Sequence, residues 1–200
     1  MLLQAKVGRL SVSVGTKHDL SSHTDGSLFV RPVPDKYLEA ALAGRLFSVA
    51  NQAAVATTAA LATGWTGLGI CNPTGSGKTL VLHEFGVAWS LTGSTAGIVG
   101  LMTSDTTGFA STLTAKCAMN GKGASIALCD DGATIATPIL ERVLGEYGTG
   151  ATNLYSSIPP NIYEINGSIV LPAGRSVMTY TSLATTAAAL FHFMWEEINT

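Results

Sequence analysis

Through most of this chain the apolar positions recur at every second residue rather than at every third or fourth. The clearest case is Leu190-Phe191-His192-Phe193-Met194-Trp195, where Phe191, Phe193 and Trp195 fall on one side together with Ala189. A period of two is the spacing of a pleated strand with one buried face. A second long run follows Lys78. Val81, His83, Phe85, Val87 and Trp89 form a bulky alternate set, and Leu80, Leu82, Glu84, Gly86 and Ala88 form the other. β-Branched and aromatic residues favour a strand there, and Gly86 in mid-run would cost a helix about 1 kcal/mol relative to Ala. With Gly, Pro, Asn and Ser as punctuation, the pattern predicts strands at 46–49, 53–58, 66–71, 79–91, 95–103, 124–128, 162–165, 168–171, 176–181 and 189–198. These are enough for two packed sheets.

Helical signals are few. Pro32 and Pro34 forbid a helix before Asp35, which reads as the N-cap of a short helix over 36–43 with Gly44 as its stop. A second helix is expected after Thr137-Pro138, because Ile139, Leu140, Val143 and Leu144 make an apolar stripe and proline suits the first helical position. Residues 1–33 carry little periodicity beyond Val12 and Val14 and read as an extended N-terminal arm, with Leu28, Phe29 and Val30 available to a neighbouring surface. Residues 34–200 then form one all-β domain, with 104–123 and 145–160 as long connections between strands.

Composition sharpens this picture. Charged residues make up 12% of the chain and hydrophobic residues 46%, against about 25% charged in an average domain. No run approaches the roughly 18 apolar residues of a membrane span, so the apolar excess is expected in a core or against other protein, which favours an oligomer or a larger assembly. The alternative is a monomer surfaced with Thr, Ser, Gly and Ala. A net charge of −2, from 11 basic and 13 acidic residues, argues against a nucleic-acid footprint or a polybasic membrane patch. The first residues, Met1-Leu2-Leu3-Gln4-Ala5-Lys6, lack the pattern of a secretory signal, so assembly in a cytoplasm is expected. Cys71, Cys117 and Cys129 are widely spaced and odd in number, which fits reduced structural thiols.

One stretch carries the strongest hint of chemistry. Asn72-Pro73-Thr74-Gly75-Ser76-Gly77-Lys78-Thr79 resembles the phosphate-binding loop of a nucleotide hydrolase, but with Asn72 where the first glycine belongs. Such a loop works because a helix N-terminus and backbone N–H groups converge on the phosphates. Here a strand is expected instead, which makes 73–77 a tight connection and Lys78 a solvated charge at a strand end. Ser125 to Asp131, an apolar run closing on Asp130 and Asp131, is the best remaining case for a magnesium-binding strand.

Other candidates are weaker. His18, His23, His83 and His192 lie far apart, and His83 and His192 read as partly buried histidines rather than ligands or bases, without the close carboxylate of a metal site. Adjacent carboxylates in a strand point to opposite faces, so Glu196 with Glu197, and Asp130 with Asp131, cannot form a facing acid–base pair; an exposed edge or a partner's arginine is expected for them. Ser76 lacks the Gly-x-Ser-x-Gly elbow of a hydrolase. Trp65, Trp89 and Trp195 fit core positions as well as a glycan surface. The reading is therefore no catalytic residue, no metal site and no cofactor.

Several segments carry a resemblance. Tyr37-Leu38-Glu39-Ala40, Phe47-Ser48-Val49-Ala50-Asn51-Gln52-Ala53-Ala54-Val55, Asn72-Pro73-Thr74-Gly75-Ser76-Gly77-Lys78, Asn166-Gly167-Ser168-Ile169-Val170-Leu171-Pro172-Ala173-Gly174 and Phe193-Met194-Trp195-Glu196-Glu197 together resemble a group of tailed-bacteriophage head structural proteins. The resemblance spans roughly residues 37–197. It implies a jelly-roll-like β-sandwich that sits on the capsid exterior as a cement or decoration protein, with the major capsid protein and its own copies, as a homotrimer, for partners. It carries over no binding residue. A trimeric tail-fibre or receptor-binding head remains an alternative, and a P-loop hydrolase a remote one.

Overall fold

The computed structural model describes residues 4–6, 17–19, 36–89, 97–105, 108–147, 161–186 and 189–200. In chain order the elements are β1 (Gln4–Lys6), β2 (Lys17–Asp19), α1 (Leu38–Leu42), β3 (Leu46–Ala50), β4 (Gly64–Asn72), β5 (Lys78–Trp89), β6 (Gly97–Ser104), β7 (Lys116–Cys117), β8 (Leu128–Thr134), β9 (Ile139–Tyr147), β10 (Asn161–Leu171), β11 (Arg175–Thr181) and β12 (Ala189–Asn199). Within the expected arm, β1 and β2 pair antiparallel, Gln4 opposite Asp19; Leu28, Phe29, Val30 and Asp35 lie outside the described residues. The other strands form two five-stranded sheets, a first in the order β10-β5-β12-β3-β7 and a second in the order β8-β4-β11-β6-β9.

The expected all-β sandwich is present, and its topology follows a simple rule. Strands β3 to β6 alternate between the sheets, as do β9 to β12, and the pairs nest: β3 with β12, β4 with β11, β5 with β10 and β6 with β9, all antiparallel. This is a long hairpin rolled up until its arms face each other, closed by β5–β12 and β6–β11, which is the jelly-roll arrangement. β7 and β8 extend the two sheets by one strand each.

Between the sheets lies the main core. Phe47, Leu80, Leu82, Phe85, Phe191, Phe193 and Trp195 come from the first sheet and Leu68, Ile70, Leu101 and Val177 from the second. Phe85 sits 6.0 Å from Phe191 and 5.1 Å from Phe193 between ring centroids. Burial of each large side chain contributes about 1.5–3 kcal/mol. Trp65 and Trp195 are buried, and Trp89 packs at the core margin 4.5 Å from the Tyr147 ring.

The alternation in β5 is real but changes phase once. Leu80 and Leu82 point inward before His83 and Glu84, and Phe85 and Val87 after them, because β5 carries one extra residue opposite the Met194–Trp195 step of β12. A bulge of this kind turns two consecutive side chains to one face. His83 and Glu84 therefore both point outward.

Several expected elements differ. The segment after Pro138 is strand β9, not a helix: Ile139 and Val143, or Leu140 and Leu144, are four residues apart, a spacing that shares a face in a strand as well as in a helix, and pairing with β6 decides between them. Helix α1 is shorter than 36–43 and its N-cap position is Tyr37, which makes no side-chain cap; Gly44, at φ 71°, ends it as expected. Residues 53–58 form a single bridge, Val55 to Ala189; the Thr57 N–H donates to the Thr185 hydroxyl rather than to a ladder carbonyl. The strand expected at 124–128 starts only at Leu128. Residues 162–165 and 168–171 belong to one strand, β10, interrupted by a bulge at Asn166-Gly167, both at positive φ. The connection over 104–123 contains β7, and 145–147 belongs to β9.

Candidate functional site on an open sheet face

The two outer faces of the sandwich are unlike. On the second sheet, Cys71, Met102 and Met178 alternate with core residues and so point away from the core, yet they are fully buried. They pack with Trp65, Phe109 and Ile135 in a cluster of their own. The ring of Phe109, from the connection after β6, lies against Gly69, where a Cβ would collide with it and with Met178. Buried Asp130 fastens this connection: its carboxylate accepts the Ala110 N–H at 2.6 Å, the Thr112 hydroxyl at 2.7 Å and the Asp131 N–H at 2.9 Å. The expectation of an exposed acid edge at Asp130 is thus corrected, and the donors around this carboxylate are the chain's own.

On the first sheet the outward side chains range from mostly buried (His83 at 14%, Glu196 at 17%) to exposed (Lys36 at 52%, Glu164 at 70%), and they carry most of the ionic pairs among the described residues. His192 Nε2 lies 2.7 Å from Glu84 Oε1. Glu196 faces Arg45 at 3.0 Å and His83 Nε2 at 3.5 Å, and the Tyr37 ring tilts over His83 at 5.0 Å. Lys36 bonds the Asn166 side chain and stands 3.8 Å from Glu164, which in turn accepts from Asn166 Nδ2 at 2.9 Å. That bond and Lys36 hold the exposed Glu164 carboxyl below its usual range, while Lys36 is raised, first by its contact with Tyr37. His192 is thus the expected partly buried histidine with a hydrogen-bond partner, whereas the ring nitrogens of His83 are buried without one, with Glu196 at 3.5 Å; the β5 bulge and the β5–β12 register bring these residues together across more than a hundred positions.

This geometry suits pairing better than catalysis. His192 spends Nε2 on Glu84, and its Nδ1 edge lies against Gly86 in the space a Cβ would fill. A groove of about 650 Å³ beside it is lined by Ser48, Ala50, Gln52, Thr112, Thr114 and Lys116. An apolar groove of about 300 Å³ continues over Gly86, Ala88, Ile162 and Leu190. Among the described residues no three His, Cys, Asp or Glu side chains converge as a metal ion would require.

The loop that resembles a phosphate-binding motif has another role. It leads from β4 in the second sheet into strand β5 in the first, so the segment after it is the expected strand and presents no helix N-terminus. Asn72 Nδ2 donates to the carbonyls of Lys78 at 2.8 Å and Leu171 at 2.9 Å, and Gly75 and Gly77 take the positive φ of a tight turn. Lys78 is not a solvated charge: its ammonium meets Glu197 Oε2 at 2.6 Å. The Glu197 side chain is fully buried and also accepts the Ser125 hydroxyl at 2.5 Å and the Ile126 N–H at 3.0 Å. Glu197 therefore ties the β4–β5 loop, the approach to β8 and β12 together, which also explains why β8 starts late. Ser76 bonds the Lys78 backbone.

Among the described residues Cys71, Cys117 and Cys129 form no disulfide. Burial pushes Cys71 up to about 11, and burial with nearby Glu197 and Asp130 pushes Cys129 up to about 12. No known family model, curated protein or solved structure matches the chain.

Proposed function

We propose that this protein is a virion structural protein that decorates a tailed-phage capsid as an oligomer, a homotrimer, and stabilises the shell by bridging major capsid protein subunits. The observation that carries the reading is the contrast between the outer faces: one is sealed by the chain's own Phe109 segment, while the other is broad, half-apolar and internally charge-paired. Such a surface suits many small contacts rather than a reaction. A filled shell pushes outward, and a clamp resists that load by multivalency, since one bound copy holds the others at high effective concentration. The N-terminal residues 1–33 would add attachment by pairing with a neighbouring sheet edge. The engaged Lys78 ammonium and the strand after the loop favour this reading over nucleotide hydrolysis.

The test is co-sedimentation with empty shells of the major capsid protein, with and without ATP and magnesium. Saturable, nucleotide-independent binding that raises the shells' melting temperature is expected. No sedimentation, together with binding to host cells or glycans, would replace the reading by a receptor-binding head. Nucleotide-dependent stabilisation lost in Lys78→Ala would replace it by a hydrolase.

A further inference from the structure

We propose that Lys36 and Asn166 form an isopeptide cross-link, with Glu164 moving the proton. This site is independent of the oligomeric reading above. Lys36 precedes α1 and Asn166 stands in the β10 bulge, 130 positions along the chain. The Lys36 amine nonetheless contacts Asn166 Oδ1, Asn166 Nδ2 donates to Glu164 Oε2 at 2.9 Å, and Lys36 Nζ lies 3.8 Å from that same carboxylate oxygen.

An ordinary surface ion pair needs only the lysine and the glutamate. Here an amide is held between them, its oxygen toward the amine and its nitrogen toward the carboxylate, which is the order that amide exchange requires. Two features fix it there. Asn166 takes φ 53° and Gly167 φ 76° in the bulge, backbone values that Asn and Gly accept more readily than other residues, and a bulge re-aims the side chain it carries. Lys36 is steered by the Tyr37 ring, whose centroid is 4.9 Å from its amine. With Nζ in contact with Oδ1, the amide carbon is one bond further on, and groups held so close react as if at very high concentration.

In this step Lys36 Nζ, as the free amine, attacks Asn166 Cγ; the Nζ–Cγ bond forms, the Cγ–Nδ2 bond breaks and ammonia leaves. Glu164 accepts a proton from the attacking nitrogen and gives it to the departing one, so the carboxylate is unchanged at the end. No oxidant or cofactor is consumed. The amine must first lose its proton. Contact with Tyr37, and then the charges of Glu164 and Glu84, hold that proton on, while the Asn166 bond and then Lys36 keep Glu164 an ionised acceptor. Formation is therefore slow at neutral pH and speeds up as pH rises. The product ties the approach to α1 covalently to β10, the edge strand of the first sheet.

The test is the intact mass of the full chain, fresh and after incubation at neutral and at alkaline pH, followed by mass spectrometry of its tryptic peptides. The expected result is a species lighter by one ammonia that accumulates faster at alkaline pH, with a branched peptide joining Lys36 to Asn166. Lys36→Arg and Asn166→Ala should abolish both, and Glu164→Gln should slow the reaction by roughly a hundredfold. Far-UV circular dichroism verifies that each variant folds, so that a lost cross-link is not a lost fold. A mass that stays at the sequence value, even after alkaline incubation, would overturn the proposal. So would an ammonia loss that persists in Lys36→Arg, since it would come from attack of the Gly167 nitrogen on Asn166. Cross-linking at full rate in Glu164→Gln would overturn the role given to Glu164.

Discussion

The outer faces of the two sheets start from the same alternating pattern and end in opposite states. On the second sheet the outward residues include Met102, Met178, Cys71 and Trp65, which are apolar and large, and the chain folds its own segment over them with Phe109 as the plug. On the first sheet the outward residues include His83, Glu84, His192 and Glu196, and ions rather than a cover complete the surface. The difference shows that a sheet face can be finished in two ways: by burying a second core, or by pairing charges so that burial by something else stays affordable. The first gives stability, while the second leaves a face fit for contact.

Removing the plug should produce the largest effect. Phe109→Ala opens the small core over Gly69 and is expected to cost about 3 kcal/mol, at the lower end for a large buried aromatic; urea unfolding measures it. A loss below the error of the fit would mean that the cover contributes nothing and that the two faces are alike.

A matched pair of glycine substitutions sharpens the contrast. A methyl at Gly69 meets the Phe109 ring and Met178 inside a packed cluster, whereas a methyl at Gly86 meets the His192 ring, which has solvent beside it. Gly69→Ala should therefore cost about 1–3 kcal/mol by overpacking, and Gly86→Ala about 1 kcal/mol or less as His192 swings away. Equal costs would contradict the description of the first face as open. Smaller still is the pair itself: His192→Ala is expected to change stability by about 0–1 kcal/mol, as half-exposed ion pairs do, in the same unfolding assay.

The thiols give a comparison without mutation. Cys117 is half-buried on β7, while Cys71 and Cys129 are buried with raised pKa values. At pH 8 a thiol reagent should modify Cys117 first and the other two only on unfolding. The sign of the pH dependence follows from the same shifts. Between the ordinary value of 9.0 and the folded values of about 11 and about 12, the unfolded chain releases these protons and the folded one keeps them. Stability is thus complete below pH 9 and falls as pH rises through that window. A denaturation midpoint unchanged between pH 8 and pH 10.5 would contradict the burial of both thiols.

Much of the fold was legible from alternation alone. Eight of the ten expected strand segments fall on observed strands, two of them on the single strand β10, because period two, as in Phe191-His192-Phe193, has one structural meaning when a run is long. The failures have physical causes. Ile139 to Leu144 reads equally as helix or strand, since four residues is a face repeat of both, and only the β6 ladder settles it. Asn166-Gly167 has the composition of a hairpin turn, but here it sits in a bulge within one strand. The site was less legible. The bulge at His83 and Glu84 could be suspected from the clash between Leu80/Leu82 and Phe85/Val87 as competing apolar sets. The pairing of Glu84 with His192, and of Lys78 with Glu197, depends on register across more than a hundred residues, which no local pattern records.

One face is sealed and the other is left open, and methionine oxidation reads both at once. Met194 points outward on the first sheet beside Glu84, Met102 and Met178 lie under the cover, and Met119 is exposed on the connection between β7 and β8. The measurement is peroxide oxidation followed by peptide mass spectrometry, on dilute and on concentrated protein. At both concentrations Met194 and Met119 are expected to oxidise while Met102 and Met178 resist. Oxidation of Met102 and Met178 at the rate of Met194 would contradict this.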